Sequence, residues 1–107
     1  MFNEKVGNNS LVLGMLMRKF DLFADARQIV KNMEDSIIVL AKENYGFDEI
    51  MARLDINRAV NDYYTAKAVD PALIAMIVQI VIPIVIEILK VAIPLIIDSM
   101  KKDEPTA

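Results

Sequence analysis

One stretch of this chain limits what the rest can be. Residues 72–97 hold ten Ile, four Val and three Leu, and their only charged side chains are Glu87 and Lys90. Asp70-Pro71 marks where the stretch begins. A carboxylate stands at a capping position, and a proline stands at the first helical position, where its missing N–H costs nothing. The pattern predicts one helix over about residues 70–102. Some 30 residues at 1.5 Å each reach roughly 45 Å, against roughly 30 Å for the hydrocarbon layer of a bilayer. Such a helix belongs in a membrane or in the apolar centre of a helical assembly.

The helix repeats itself. Pro83, Glu87 and Lys90 recur eleven residues later as Pro94, Asp98 and Lys101, and Gln79 extends the lysine position back by one repeat. Eleven residues make about three turns, so matched positions stay on one side. At about 100° per residue, Gln79, Glu87, Lys90, Asp98 and Lys101 fall within an arc of about 100°, and Pro83 and Pro94 share it. The remaining arc of about 260° is aliphatic. That geometry suits a wide face against lipid or apolar neighbours. The narrow stripe then meets a partner helix or lines a water-filled lumen.

Magnitudes bear on the membrane expectation. Seventeen aliphatic residues at roughly −0.3 to −0.6 kcal/mol each favour insertion by about 5–10 kcal/mol. Glu87 and Lys90 oppose it by roughly 2.5–3.5 kcal/mol each. Gln79 and the two prolines add to the opposition, so a lone helix is near balance. Company for the stripe tips it: Glu87 and Lys90, three apart, can pair along the helix, and self-association or other subunits can satisfy the rest. Each proline bends the helix and frees a carbonyl one turn earlier, around Gln79 and Lys90. Such carbonyls are tolerated at membrane depth where they face protein or water. Otherwise the prolines simply curve the helix around a core.

The first 70 residues read as an ordinary soluble sequence, with 9 Lys/Arg against 11 Asp/Glu. Residues 1–9 are polar and predict a flexible start. Ser10 can cap a short helix to about Phe20, and Asp21 opens a clearer one. Leu22, Ala26, Ile29, Met33, Ile37 and Leu40 recur every three or four residues and share a face. Arg27, Lys31, Glu34, Asp35 and Lys42 fill much of the rest. Tyr45-Gly46 is the expected stop, with Gly46 supplying a left-handed cap, and Asp48 is the expected cap of the next helix. Ile50, Met51, Leu54, Ala59, Val60, Tyr63 and Tyr64 give that helix an apolar side. Its spacing slips near Asp55-Ile56-Asn57, which predicts a bend or break. No alternating strand pattern of useful length occurs.

The expected fold is therefore all-α: a small N-terminal bundle of two or three amphipathic helices, residues 10–69, then one long apolar helix, residues 70–102. Residues 103–107 make a polar tail. Tyr63 and Tyr64 lie just before the long helix, either as an interfacial aromatic anchor or as part of the small bundle's core. Seven Met suit an adaptable packing surface.

Chemistry is scarce. With no Cys and no His, disulfides, thiolate zinc sites, thiol nucleophiles and His-based mechanisms are excluded. Glu34-Asp35 and Asp48-Glu49 are adjacent pairs, which do not face each other on a helix. No phosphate loop, metal spacing or nucleophile arrangement is present. We expect no catalytic residue, no cofactor, no metal and no small-molecule substrate. A net charge of −3 counts against nucleic acid as a partner. Residues 49–60 have some flavour of a helix-turn-helix, but Asp55 replaces the usual turn Gly, and Asp62 in the reading helix would repel phosphate. The apolar run at residues 11–17 is followed, not preceded, by Arg18-Lys19, so no secretory signal peptide is expected.

Membrane lipid and other subunits, including copies of the chain, are the expected partners, with the N-terminal region on the cytoplasmic or interior side. Lys and Arg flank both ends of the span, so their bias scarcely sets its orientation. The leading functional expectation is a structural protein that anchors a larger complex to a membrane, for example a small membrane-associated component of a virus particle. The alternatives are a pore or channel of lysis or translocation type, with the stripe lining the lumen, and a membrane-tethered helix-turn-helix regulator.

Overall fold

A computed structural model describes residues 20–103, with side chains to Lys101. The expected flexible start, the helix from Ser10 and the polar tail beyond Asp103 lie outside these residues. Within them the chain is all-α: α1 (Leu22–Asn32), α2 (Glu34–Lys42), α3 (Phe47–Arg53), α4 (Ile56–Ala66) and α5 (Pro71–Asp103). The class is the expected one, short helices followed by one long apolar helix. Among the described residues the short ones number four, because the expected helices from Asp21 and from Asp48 are each divided in two.

The first divides at Met33. Its N–H is shared between the carbonyls of Ile29 and Val30, at 3.2 and 3.0 Å, which tightens the turn locally. The core row Leu22, Ala26, Ile29, Met33, Ile37 is nevertheless buried on both sides of the break. The second divides at Leu54-Asp55, where the spacing slips. Asp55 caps α4, its Oδ1 accepting from the Arg58 N–H at 3.1 Å. Asp21 caps α1 in the same way through the Ala24 N–H at 3.0 Å.

Two expected caps are corrected. The left-handed residue after α2 is Asn44, with φ 69°, and Gly46 has φ −81°. The Asn44 and Tyr45 N–H groups bond back to the carbonyls of Ala41 and Leu40, the paired bonds of a Schellman ending. Gly46, not Asp48, then occupies the cap position of α3. Asp48 and Glu49 fall in the first turn, where their charge suits the helix dipole. α4 ends like α2. Ala68 is left-handed, with φ 59°, and the Ala68 and Val69 N–H groups bond to Thr65 and Tyr64 carbonyls.

An alanine in that conformation bears a penalty of about 1–2 kcal/mol. Glycine relieves it but costs about 0.4–1 kcal/mol through the unfolded chain. Ala68→Gly is therefore expected to stabilise the fold by roughly 0.5–1 kcal/mol, seen as a rise of a few degrees in Tm by circular dichroism. A fall in Tm would contradict this account of the cap.

α5 begins as the Asp70-Pro71 pair requires. Asp70 Oδ1 accepts from the Ala72 N–H at 2.8 Å, and its carbonyl takes the Ile74 N–H at 2.9 Å. The helix then runs for 33 residues without interruption through Pro83 and Pro94. It is the hub. α1, α2 and α4 each pack chiefly on α5 and only lightly on one another, and α3 leans on α2. One core results, shared between the short helices and α5.

Candidate functional surface: the long helix

The side of α5 that is covered follows from its spacing. Ile77, Val81, Val85, Leu89 and Ile93 are fully buried, and Ile74 nearly so. Steps of four make them a single i±4 ridge, the ridge most used in helix packing. Half-buried Ile84, Ile88 and Ala92 lie beside it. Taken with Ile74, the ridge is centred roughly 170° around the helix from the stripe. The short helices thus cover the middle of the aliphatic arc and leave the stripe outward.

Every stripe residue faces out: Gln79, Glu87, Lys90, Asp98 and Lys101 are exposed, as are Pro83 and Pro94. The expected pair forms, Lys90 Nζ donating to Glu87 Oε1 at 3.0 Å. An exposed pair of this kind contributes only about 0.2–1 kcal/mol, so it does not hold the helix in place. Outward prolines sit on the side that becomes convex when a helix curves around a core. Beside the stripe are apolar side chains left in the open, Met76, Val91 (63 % exposed) and Leu95 (62 % exposed). α5 has the length and composition to cross a membrane, and only 28 % of its most apolar part is buried.

The contact between α5 and the short helices is of one kind. Among the described residues no side-chain hydrogen bond or ion pair joins α5 to α1, α2, α3 or α4. The polar tie lies elsewhere, between α1 and α4. Asp25 is 8 % exposed. Its Oδ1 accepts from the Tyr63 hydroxyl at 3.0 Å and its Oδ2 from the Tyr64 hydroxyl at 2.8 Å. Lys67 Nζ stands 3.6 Å from Oδ1 and 4.5 Å from the centre of the Tyr63 ring. The two tyrosine rings meet edge to face, and Phe20 meets Tyr64 likewise.

Tyr64 has no exposed surface, so of its two expected roles it takes the core one, and no interfacial anchor is left at that position. Tyr63 is half-buried. The Asp25 site was missed in the sequence, although one signal was there: Asp25 lies three residues after Leu22 and four before Ile29, on the apolar row.

Burial raises the Tyr64 hydroxyl well above its ordinary 10.0, and its bond to Asp25 raises it further. Lys67 is also held up, first by Tyr63 and then by the charge of Asp25. In both cases the unfolded chain loses its proton first. The stabilisation is therefore complete below about pH 10 and declines as pH rises beyond it. Denaturant midpoints are expected to fall as pH rises above about 10, and Tyr64→Phe should flatten that fall.

The remaining features carry little chemistry. The helix-turn-helix candidate, α3 with α4, has its cations engaged. Arg58 pairs with Asp62 at 3.6 Å, and Arg53 lies 4.1 Å over the Tyr45 ring. A shallow groove of about 530 Å³ between α2 and the α3–α4 corner has Met33, Val39, Leu40 and Ala59 on its walls, with charges of both signs around it. Among the described residues no acidic or other cluster is arranged to hold a metal ion. Compared with known proteins, the chain matches no family model, no curated protein and no solved structure.

Proposed function

We propose that the chain is a non-enzymatic structural protein that joins a larger assembly to a membrane, with α5 as the joining element. One observation supports this reading above the others: among the described residues α5 is held to α1, α2 and α4 by apolar contact, with no side-chain hydrogen bond or ion pair between them. Such contact is indifferent to its partner, because lipid chains are as apolar as leucine. The side of α5 that carries Ile77 to Ile93 can therefore exchange its cover of short helices for lipid. α1 and α4 keep their own bond through Asp25 and, with their charged outer faces, stay in water. The stripe remains for contact with other subunits.

The test is flotation of the full chain with liposomes of neutral and anionic lipid, followed by carbonate extraction. Retention in the membrane fraction after carbonate supports the anchor. A chain that stays in the soluble fraction throughout defeats it. Leakage of trapped dye, altered by Glu87→Leu or Lys90→Leu, would instead favour a pore with the stripe along its lumen.

A further inference from the structure

The outward stripe has a symmetry of its own. Take the level of α5 between Ile88 and Leu89. Glu87 stands as far before this level as Lys90 stands after it. Pro83 and Pro94 are likewise equidistant from it, as are Gln79 and Asp98, and all six are exposed on one side of the helix. Two helices lying antiparallel about a two-fold axis at this level place each residue against its mate. Glu87 meets Lys90 of the other copy, Lys90 meets Glu87, Gln79 meets Asp98, and proline meets proline.

We infer that the outward face of α5 pairs with the same face of a second copy, antiparallel, about an axis at Ile88–Leu89. This rests on the assembly role proposed above but not on membrane insertion, since it concerns the form in which α1, α2 and α4 cover the opposite side. Charge complementarity selects the arrangement. In register, a parallel pair sets Glu87 against Glu87 and Lys90 against Lys90, which repel. An antiparallel pair sets unlike charges together twice, as a self-complementary two-fold interface requires. A second antiparallel register, centred on Pro94, also matches charges, Glu87 with Lys101 and Lys90 with Asp98. It overlaps only the C-terminal part of α5, whereas the axis at Ile88–Leu89 lies near the middle of Pro71–Asp103 and overlaps nearly all of it. Val91 and Leu95, exposed beside the stripe, gain cover in the long overlap.

Because the chain has no Cys, single introduced cysteines report the register. Gln79→Cys and Asp98→Cys are made separately in the full chain, mixed in detergent-free buffer and mildly oxidised. The expected product is the mixed disulfide. Each variant alone should give little, because two copies of position 79 lie roughly 28 Å apart along an antiparallel pair. A strong disulfide of either variant with itself, or of Lys90→Cys with Asp98→Cys, overturns the proposed register, and no disulfide at all overturns the pairing.

Sedimentation equilibrium gives a second readout. Glu87→Lys and Lys90→Glu should each weaken self-association at least roughly ten-fold, and mixing the two should restore it. No change in either variant counts against the inference. A chain that enters vesicles yet shows none of these disulfides leaves the membrane role standing and removes the pairing. A chain that forms the mixed disulfide in water and ignores vesicles does the reverse.

Discussion

Replacing Leu89 by alanine is expected to cost the folded bundle about 2–5 kcal/mol while barely affecting α5 as a membrane helix. Leu89 is fully buried near the middle of the ridge. Its truncation removes apolar contacts and leaves a cavity that the facing short helices cannot fully close. In lipid there is no such cavity, because fluid chains fill the space, and the loss is on the order of 0.5 kcal/mol. The difference acts on the balance between the two covers of α5. Leu89→Ala should lower Tm markedly and raise the fraction bound to vesicles, by ten-fold or more where binding is unsaturated. A lower Tm with unchanged vesicle binding would mean that the short helices do not compete with lipid for α5.

Tyr64→Ala should be nearly as costly, about 3–5 kcal/mol, as for other large buried aromatics. Stability in small domains totals only about 5–15 kcal/mol, so much of the chain is expected to be unfolded at room temperature. Tyr64→Phe separates two contributions. It keeps the ring, its packing and the edge contacts with Phe20 and Tyr63, and removes one hydrogen bond to a buried carboxylate, a loss of about 1.5–3 kcal/mol. Asp25→Ala removes the acceptor and strands the buried Tyr64 hydroxyl without its partner. Chemical denaturation of both single variants and the double variant Asp25→Ala/Tyr64→Phe gives their coupling, expected at 0.5–3 kcal/mol. A coupling of zero would mean that the 2.8 Å bond does not help to hold α1 on α4.

Much of the fold was legible in the chain, for local reasons. The row Leu22, Ala26, Ile29, Met33, Ile37 is buried because a three- or four-residue spacing leaves a helix only one way to hide its apolar side. Asp70-Pro71 starts α5 because both residues act on the backbone beside them. The stripe pair Glu87–Lys90 was legible for the same reason. What could not be read depends on distance or on backbone bonding. Asp25 is a charge on an apolar row, and the tyrosine that satisfies it lies 39 positions away. Asn44 and Ala68 take left-handed conformations because paired backbone bonds hold them there, while Gly46, the residue best suited to one, stands two places past it. An aliphatic arc of about 260° does not say which part will be covered. That choice was made by the short helices, which took the ridge farthest from Glu87 and Lys90.

The hub arrangement also imposes an order on synthesis. α1 to α4 leave the ribosome first, yet the surface on which α1, α2 and α4 pack lies on α5. Until residues through Ile93 have emerged, Ile29, Ile37, Val60 and Tyr64 have no partner surface of comparable extent. Chains grow at about 5–20 residues per second, so the nascent N-terminal half spends seconds with its apolar rows uncovered. Whatever first meets those rows and α5 in that interval, whether a chaperone, a bilayer or each other, sets the state in which the finished molecule begins its life.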